Sequence, residues 1–318
     1  MTIKRLLISA IAAVGVSLTA HAQPTELSIM APAAPGGGWD QTARSMQQAF
    51  TESGLVSNVQ VTNVPGAGGT IGLAQFVNSG AGNPNNLIVG GYVMVGAIIA
   101  NKSPVTLAEV TPLARLTGEY EAIVVPAASD IKTIGELVEK LKADPGAVSW
   151  AGGSAGGVDH IVVGQIAAAA GVDPTKINYI PFSGGGEALA AILGGQVTAG
   201  VSGTGEWQSQ IQSGELRLLA VTSPERLAGF DAPTLKESGL EVETQNWRMV
   251  AAAPGISDAD KAMLVDTVQK MSQSDAWKNI VTQKGWQDTF LAGPDFQAYL
   301  NSEIEKTTAT LKQLGIAQ

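Results

Sequence analysis

Pro35-Gly36-Gly37-Gly38-Trp39-Asp40 stands between a β-like run, Glu26–Ala31, and a run in which Ala43, Met46, Ala49 and Phe50 fall at helical spacing before Gly54 ends the helix. Strand, glycine turn and helix in that order form the repeating unit of an α/β protein. Three more segments repeat the pattern: Pro65-Gly66-Ala67-Gly68-Gly69-Thr70, Gly152-Gly153-Ser154-Ala155-Gly156-Gly157 and Ser183-Gly184-Gly185-Gly186-Glu187. Further strand-like runs are Val59–Asn63, Asn86–Gly90, Glu121–Pro126, Ala147–Ala151, Lys176–Pro181, Gln196–Ser202, Leu216–Thr222 and Trp247–Ala253. Their alternation with helical runs predicts largely parallel strands. After Pro254-Gly255 the chain reads as helices from Ser257 to Leu314, with no strand beyond Ala253. A helical tail of this kind is expected to pack back onto the first domain. The chain then crosses between two domains twice, near Glu121–Pro126 and near Trp247–Ala253, and a double crossing makes a hinge with a ligand cleft beside it.

The bulk composition agrees with two domains: 318 residues, 45% hydrophobic and 15% charged, with 38 glycines. The absence of cysteine excludes disulfides, thiolate zinc sites and a cysteine nucleophile. Two histidines, His21 and His160, leave little room for imidazole metal centres, and no metal or cofactor is expected. A formal charge of -9 argues against nucleic acid as a partner. At the N-terminus Lys4 and Arg5 precede an apolar run from Leu6 to Leu18, followed by Ala20-His21-Ala22. This is the three-part pattern of a secretory signal, residues 1–22, cleaved after Ala22. A retained anchor is the alternative, but the run is shorter than the ~20 residues that span a bilayer. Loss of Lys4 and Arg5 takes the charge to two units below -9.

Glycine lets backbone approach a ligand closely, and the first N–H groups of a helix favour negative charge, each end by roughly 0.3–2 kcal/mol. Lysine and arginine are absent between Arg44 and Lys102, and only Lys176 lies between Lys142 and Arg217. An anion held by these loops therefore meets N–H groups and hydroxyls rather than a ring of cations, with Arg44, Arg115, Arg226 and Arg248 as exceptions to check. Tight turns without a ligand are the plainer reading of each loop alone. Asp40 and Glu187 stand where helices begin, which is a dipole-stabilising position. Were Asp40, Glu187 or Glu206 to face the cleft, an ammonium group on the ligand would be favoured. Trp39, Trp150, Trp207 and Trp247 lie beside loops or hinges, where they either wall the cleft or fill the core.

A secreted serine hydrolase is the enzymatic alternative, because Gly152-Gly153-Ser154-Ala155-Gly156 matches G-x-S-x-G between strand and helix. Its only mature imidazole, His160, lies six residues on, in the same helix, where it is poorly placed to serve both Ser154 and an acid. No third glycine completes a dinucleotide fingerprint at Gly66-x-Gly68, and no G-x-x-x-x-G-K-[ST] loop exists. The chain is read as a non-enzyme.

The ordered set of landmarks resembles the extracytoplasmic solute receptors of tripartite tricarboxylate transporters, the Bug-type receptors. It runs Ala31-Pro32-Ala33-Ala34-Pro35-Gly36-Gly37-Gly38-Trp39-Asp40, Asn63-Val64-Pro65-Gly66-Ala67-Gly68-Gly69, Asp144-Pro145-Gly146, Ser154, Ser183-Gly184-Gly185-Gly186-Glu187, Leu193-Gly194-Gly195-Gln196-Val197, Leu216–Ser223, Arg226, Pro233-Thr234-Leu235 and Trp247. The resemblance implies a two-domain, type II-like Venus-flytrap periplasmic binding protein with two hinge crossings. Domain 1 would comprise residues 23–123 and 248–318, and domain 2 residues 124–247. The receptor would close on a small di- or tricarboxylate and hand it to the membrane subunits of the transporter, acting as a monomer. Carried over, the resemblance assigns ligand binding to Gly37, Gly38, Trp39, Ala67, Gly68 and Gly69 on one side, and to Gly153, Ser154, Gly185, Gly186 and Ser202 on the other. Triple glycine followed by an aromatic residue and Asp40 looks like the tricarboxylate-binding branch, which favours citrate or a similar acid. Receptors for an amino acid or an aromatic acid are the same-fold alternative.

Overall fold

The unit around Gly36–Gly38 is built from β1 (Glu26–Ala31) and α1 (Gly38–Glu52), and Ala43, Met46, Ala49 and Phe50 all turn into the core. Removing Met46 and Phe50 from water contributes about 1.5–3 kcal/mol each. The structure is a computed structural model that describes residues 24–317, so the expected signal sequence at 1–22 and its cleavage after Ala22 lie outside the described residues.

The chain continues through β2 (Asn58–Asn63), α2 (Thr70–Gly80), β3 (Asn86–Gly91), α3 (Tyr92–Ala100), β4 (Thr111–Pro126), α4 (Ile134–Ala143), β5 (Ser149–Gly152) and α5 (Val158–Ala169). There follow β6 (Asn178–Pro181), α6 (Gly185–Leu193), β7 (Ala199–Gly203), α7 (Thr204–Gln212), β8 (Leu216–Val221), β9 (Gln245–Ala252), α8 (Asp258–Gln273), α9 (Asp275–Gln283), β10 (Gln287–Ala292) and α10 (Gly293–Gln313). Strands run in the order β2-β1-β3-β9-β4-β7-β5-β6, with β8 and β10 also pairing β4.

Two expectations need correction. Parallel pairing holds only in the flanks, where β1 pairs β2 and β3, and β5 pairs β6 and β7. The centre is antiparallel, because the chain leaves one lobe on β4 and returns on β9, so these two paired strands run in opposite directions. The helical tail is also interrupted by a strand, β10, which pairs antiparallel with β4. Its sequence Gln287-Asp288-Thr289-Phe290-Leu291-Ala292 is exposed at its first two residues, half-buried at the other four, and lacks the apolar alternation that marks a buried strand.

β4 is the spine of both lobes. Its Thr111–Tyr120 half pairs β9, and its Glu121–Pro126 half pairs β7 and β8. One core gathers side chains from β1, α1, β3, β9 and α8 to α10, including Phe50, Leu87, Trp247 and Phe296. A second gathers Ile123, Leu137, Trp150, Val162 and Val201. The two crossings are tied by Thr222, whose buried hydroxyl accepts from Glu121 N–H at 2.9 Å and donates to the Thr244 carbonyl at 2.7 Å.

Candidate functional site

The glycine loops follow β1, β2, β5 and β6, and each ends where a helix begins. The N-cap positions of α1, α2, α5, α6 and α7 are Gly37, Gly69, Gly157, Gly184 and Gly203, and none has a side chain to cap its helix. By contrast Thr133, Ser257 and Ser274 cap α4, α8 and α9 with their hydroxyls. Caps made of glycine leave the first-turn N–H groups for another acceptor. The loops are braced from within. Gly36 N–H donates to Asp40 at 2.9 Å, Gly153 N–H to Asp159 at 2.5 Å and Ser183 N–H to Glu187 at 3.0 Å.

All four loops converge on one cavity between the lobes. Its volume is about 60 Å³, by the measure in which one water takes roughly 10–15 Å³, room for several waters or a small ligand. The loops meet across it. A Cβ added to Gly68 would lie 3.3 Å from the Cβ of Ser154, and one added to Gly184 would lie 3.9 Å from the Cα of Gly37. Gly68 and Gly69 take φ of 62° and 86°, a left-handed turn natural to glycine.

Of the residues expected from the sequence, Gly37, Gly38, Trp39, Gly68, Gly69, Gly153, Ser154, Gly185 and Ser202 line this cavity. Ala67 and Gly186 do not. Ala67 borders a neighbouring hollow with Asn101, Ser154 and Phe182, and its carbonyl accepts from the Thr70 hydroxyl at 2.9 Å. Gly186 lies one residue inside α6 and away from the wall. Among the tryptophans only Trp39 lines the cavity, while Trp150, Trp207 and Trp247 are core. Asp40 turns inward to Gly36, Asn63 and Arg44, and Glu187 lines the neighbouring hollow; neither borders the cavity. Burial raises the Asp40 carboxyl, but the hydrogen bonds from Gly36, Asn63 and Arg44 outweigh it and hold the group below the ordinary range.

The wall also holds Asp159, Glu206, Asn246 and Arg248. Arg248 is buried; it donates to Asn246 at 2.8 Å, bonds Glu119 directly and reaches Glu206 at 3.7 Å. Glu121, behind the wall, is fully buried, and neither of its carboxylate oxygens has a partner among the described residues. Four acids against one guanidinium do not all stay ionised in so dry a place. Burial, with neighbouring acids adding to it, pushes Glu206 up to about 8 and Glu121 well above the ordinary range. Burial likewise lifts Asp159 to about 6, against the Gly153 N–H bond and Arg248, which pull it down. Of this group Glu206 and Arg248 were singled out from the sequence. Asp159 follows the Gly152–Gly157 loop as Asp40 follows Gly36–Gly38, a signal the sequence did hold, whereas Glu119, Glu121 and Asn246 come from strand positions with no motif around them.

His160 accepts from Gly156 N–H at 3.1 Å through Nδ1 and stacks on Tyr179 with centroids 4.3 Å apart. Burial pushes it down to about 4, so it is neutral near pH 7.

The family model described as "Tripartite tricarboxylate transporter family receptor" matches residues 42–316. Protein BugT of Bordetella pertussis is 26% identical over 312 residues, covering 96% of this chain and 94% of BugT. The solved structure of the periplasmic binding protein BugD superposes with a TM-score of 0.82 at 24% identity, over 92% of this chain and 98% of BugD. MatC from Rhodopseudomonas palustris with bound malate superposes with a TM-score of 0.79 at 22% identity, over 90% of this chain and 98% of MatC. These neighbours share the two-lobed binding-protein fold. A match that runs through both lobes and all but the first of the glycine loops makes the chain a member of the tripartite tricarboxylate transporter receptor family.

Proposed function

We propose that the protein is an exported periplasmic receptor that captures a small carboxylate by lobe closure and delivers it to the membrane subunits of a tripartite tricarboxylate transporter. The convergence of three glycine-capped helix N-termini, those of α1, α2 and α6 at Gly37, Gly69 and Gly184, on one interlobe cavity carries this reading. Such ends hold a carboxylate through N–H groups and dipoles. The change of strand partners on β4 at Tyr120–Glu121 supports a lobe division of 23–123 with 248–318 against 124–247. The malate bound to MatC supports a di- or tricarboxylate. The acids in the wall favour a small dicarboxylate over fully ionised citrate, which would bring three charges against Asp159 and Glu206. Catalysis by Ser154 is disfavoured, since the ring of His160 is engaged by Gly156 and Tyr179.

Calorimetric titration of protein stripped of carried-over ligand, against C3 to C6 mono-, di- and tricarboxylates, tests the reading. Micromolar binding of at least one acid is expected, about -8 kcal/mol. No heat and no thermal shift with any member overturns it.

A further inference from the structure

We propose that the cleft captures its carboxylate together with a proton, and that the buried acids Glu121 and Asp159 form the site that takes the proton up. The inference deepens the carboxylate reading above and rests on it.

Glu119 and Glu121 stand two apart on β4, so their side chains leave one face of the strand, where it changes partners between the lobes. Glu119 is answered by Arg248. Glu121 is not: its side chain has no exposed surface, and no N–H or hydroxyl donates to either oxygen among the described residues. The polar group that meets it is the carboxyl of Asp159, in the first turn of α5. An ionised carboxylate has no donor, so these two meet only with a proton between them. The helix dipole and the Gly153 N–H account for Asp159, but neither reaches Glu121.

Asp159 is the member of the pair that faces the cavity, and Glu121 lies behind it. A ligand carboxylate that enters stands against Asp159 with no free cation to offset it. Arg248 is the one basic side chain in the wall among the described residues, and Glu119 already answers its charge. Closure also removes water, and both changes favour the neutral form of an acid. The pair therefore gains a proton when the lobes close on an anion. The groups facing it are Glu119 on β4, Arg248 on β9, Glu206 on α7 and Tyr179 on β6. Burial raises both acids, Glu119 adds to it and Arg248 opposes it. Tyr179, itself raised by burial, stays neutral, as does His160 stacked on it.

Calorimetry on the stripped protein tests this with malate, succinate, glutarate, adipate and citrate, each in PIPES and in imidazole, buffers of different ionisation enthalpy. Between pH 7.5 and 8.5 these acids are themselves ionised, so a proton taken up goes to the cleft. Uptake of roughly half to one proton is expected, with affinity weakening roughly three- to tenfold for each pH unit. Asp159→Asn fixes the cavity-facing acid in a neutral form; it is expected to bind as tightly at pH 8.5 as at pH 6.5, without uptake. Glu121→Gln, behind the wall, cuts the uptake by half or more and keeps the affinity at pH 6.5 within about threefold of the parent's. A merely structural role would weaken binding equally at every pH and leave the uptake unchanged. Where a variant misfolds by circular dichroism, the pH slope of the unaltered protein remains the test. A level affinity from pH 6.5 to 8.5 with no buffer-dependent heat overturns the inference and leaves the carboxylate reading standing, and so does uptake undiminished in both folded variants. Failure of all five acids to bind overturns both.

Discussion

Gly38 shows how much one missing side chain decides. A Cβ there would run into the Arg248 guanidinium and come within 2.8 Å of Glu206 Oε1, across the interlobe boundary. Its backbone is ordinary helix, so Gly38→Ala keeps the fold and blocks the closed arrangement. We expect a tenfold or greater loss of ligand affinity by calorimetry, with the far-ultraviolet circular dichroism unchanged. Asp40 plays the opposite part, structural rather than ligand-facing. Removing the acceptor for Gly36, Asn63 and Arg44 in Asp40→Ala is expected to lower unfolding free energy by about 1–2 kcal/mol in urea titration. The glycines were legible in the sequence because the strand–glycine–helix pattern recurs four times, although each loop alone reads as a tight turn. The trio Glu119, Glu206 and Arg248 was not, because its members lie 129 and 42 residues apart along the chain and only the sheet brings them together.

At the scale of elements, helices near the cleft and helices away from it are capped differently. Those around the cavity start on bare glycine, and α4, α8 and α9 start on threonine or serine. The strands with β-branched apolar runs announced themselves in the sequence. β10 and the first half of β4 did not. Arg115, Thr117, Gly118 and Glu119 give that half of β4 no apolar alternation, and it is stabilised by partners on both sides. Thr222 binds the two crossing segments through one hydroxyl. Thr222→Val keeps the shape and strands a buried N–H and a buried carbonyl. A loss of about 1–3 kcal/mol is expected in denaturant unfolding, with faster hydrogen exchange at the amide of Glu121.

For the molecule as a whole, the buried acids set a pH dependence. Glu206 titrates at about 8 in the folded protein and near 4.5 when unfolded, so between those values the native state holds the extra proton. Stability of the stripped protein therefore falls as pH rises through this window. Thermal unfolding is expected at a higher temperature at pH 5.5 than at pH 8, and Glu206→Gln should flatten the difference. The meeting of the glycine loops on one cavity was readable from their order, while the acids inside it were not.

The last turn of α10 touches both lobes. Leu311 and Leu314 pack with Ile161 of α5, beside Tyr92 and Ile99 of α3, and Ile316 lies against the same cluster. Any swing of the lobes must slide this greasy end over α5. A natural chain without cysteine accepts a single thiol there without competition. A dye attached through Ile316→Cys would brighten or dim as that contact slides, turning solute capture into an optical signal read in a cuvette.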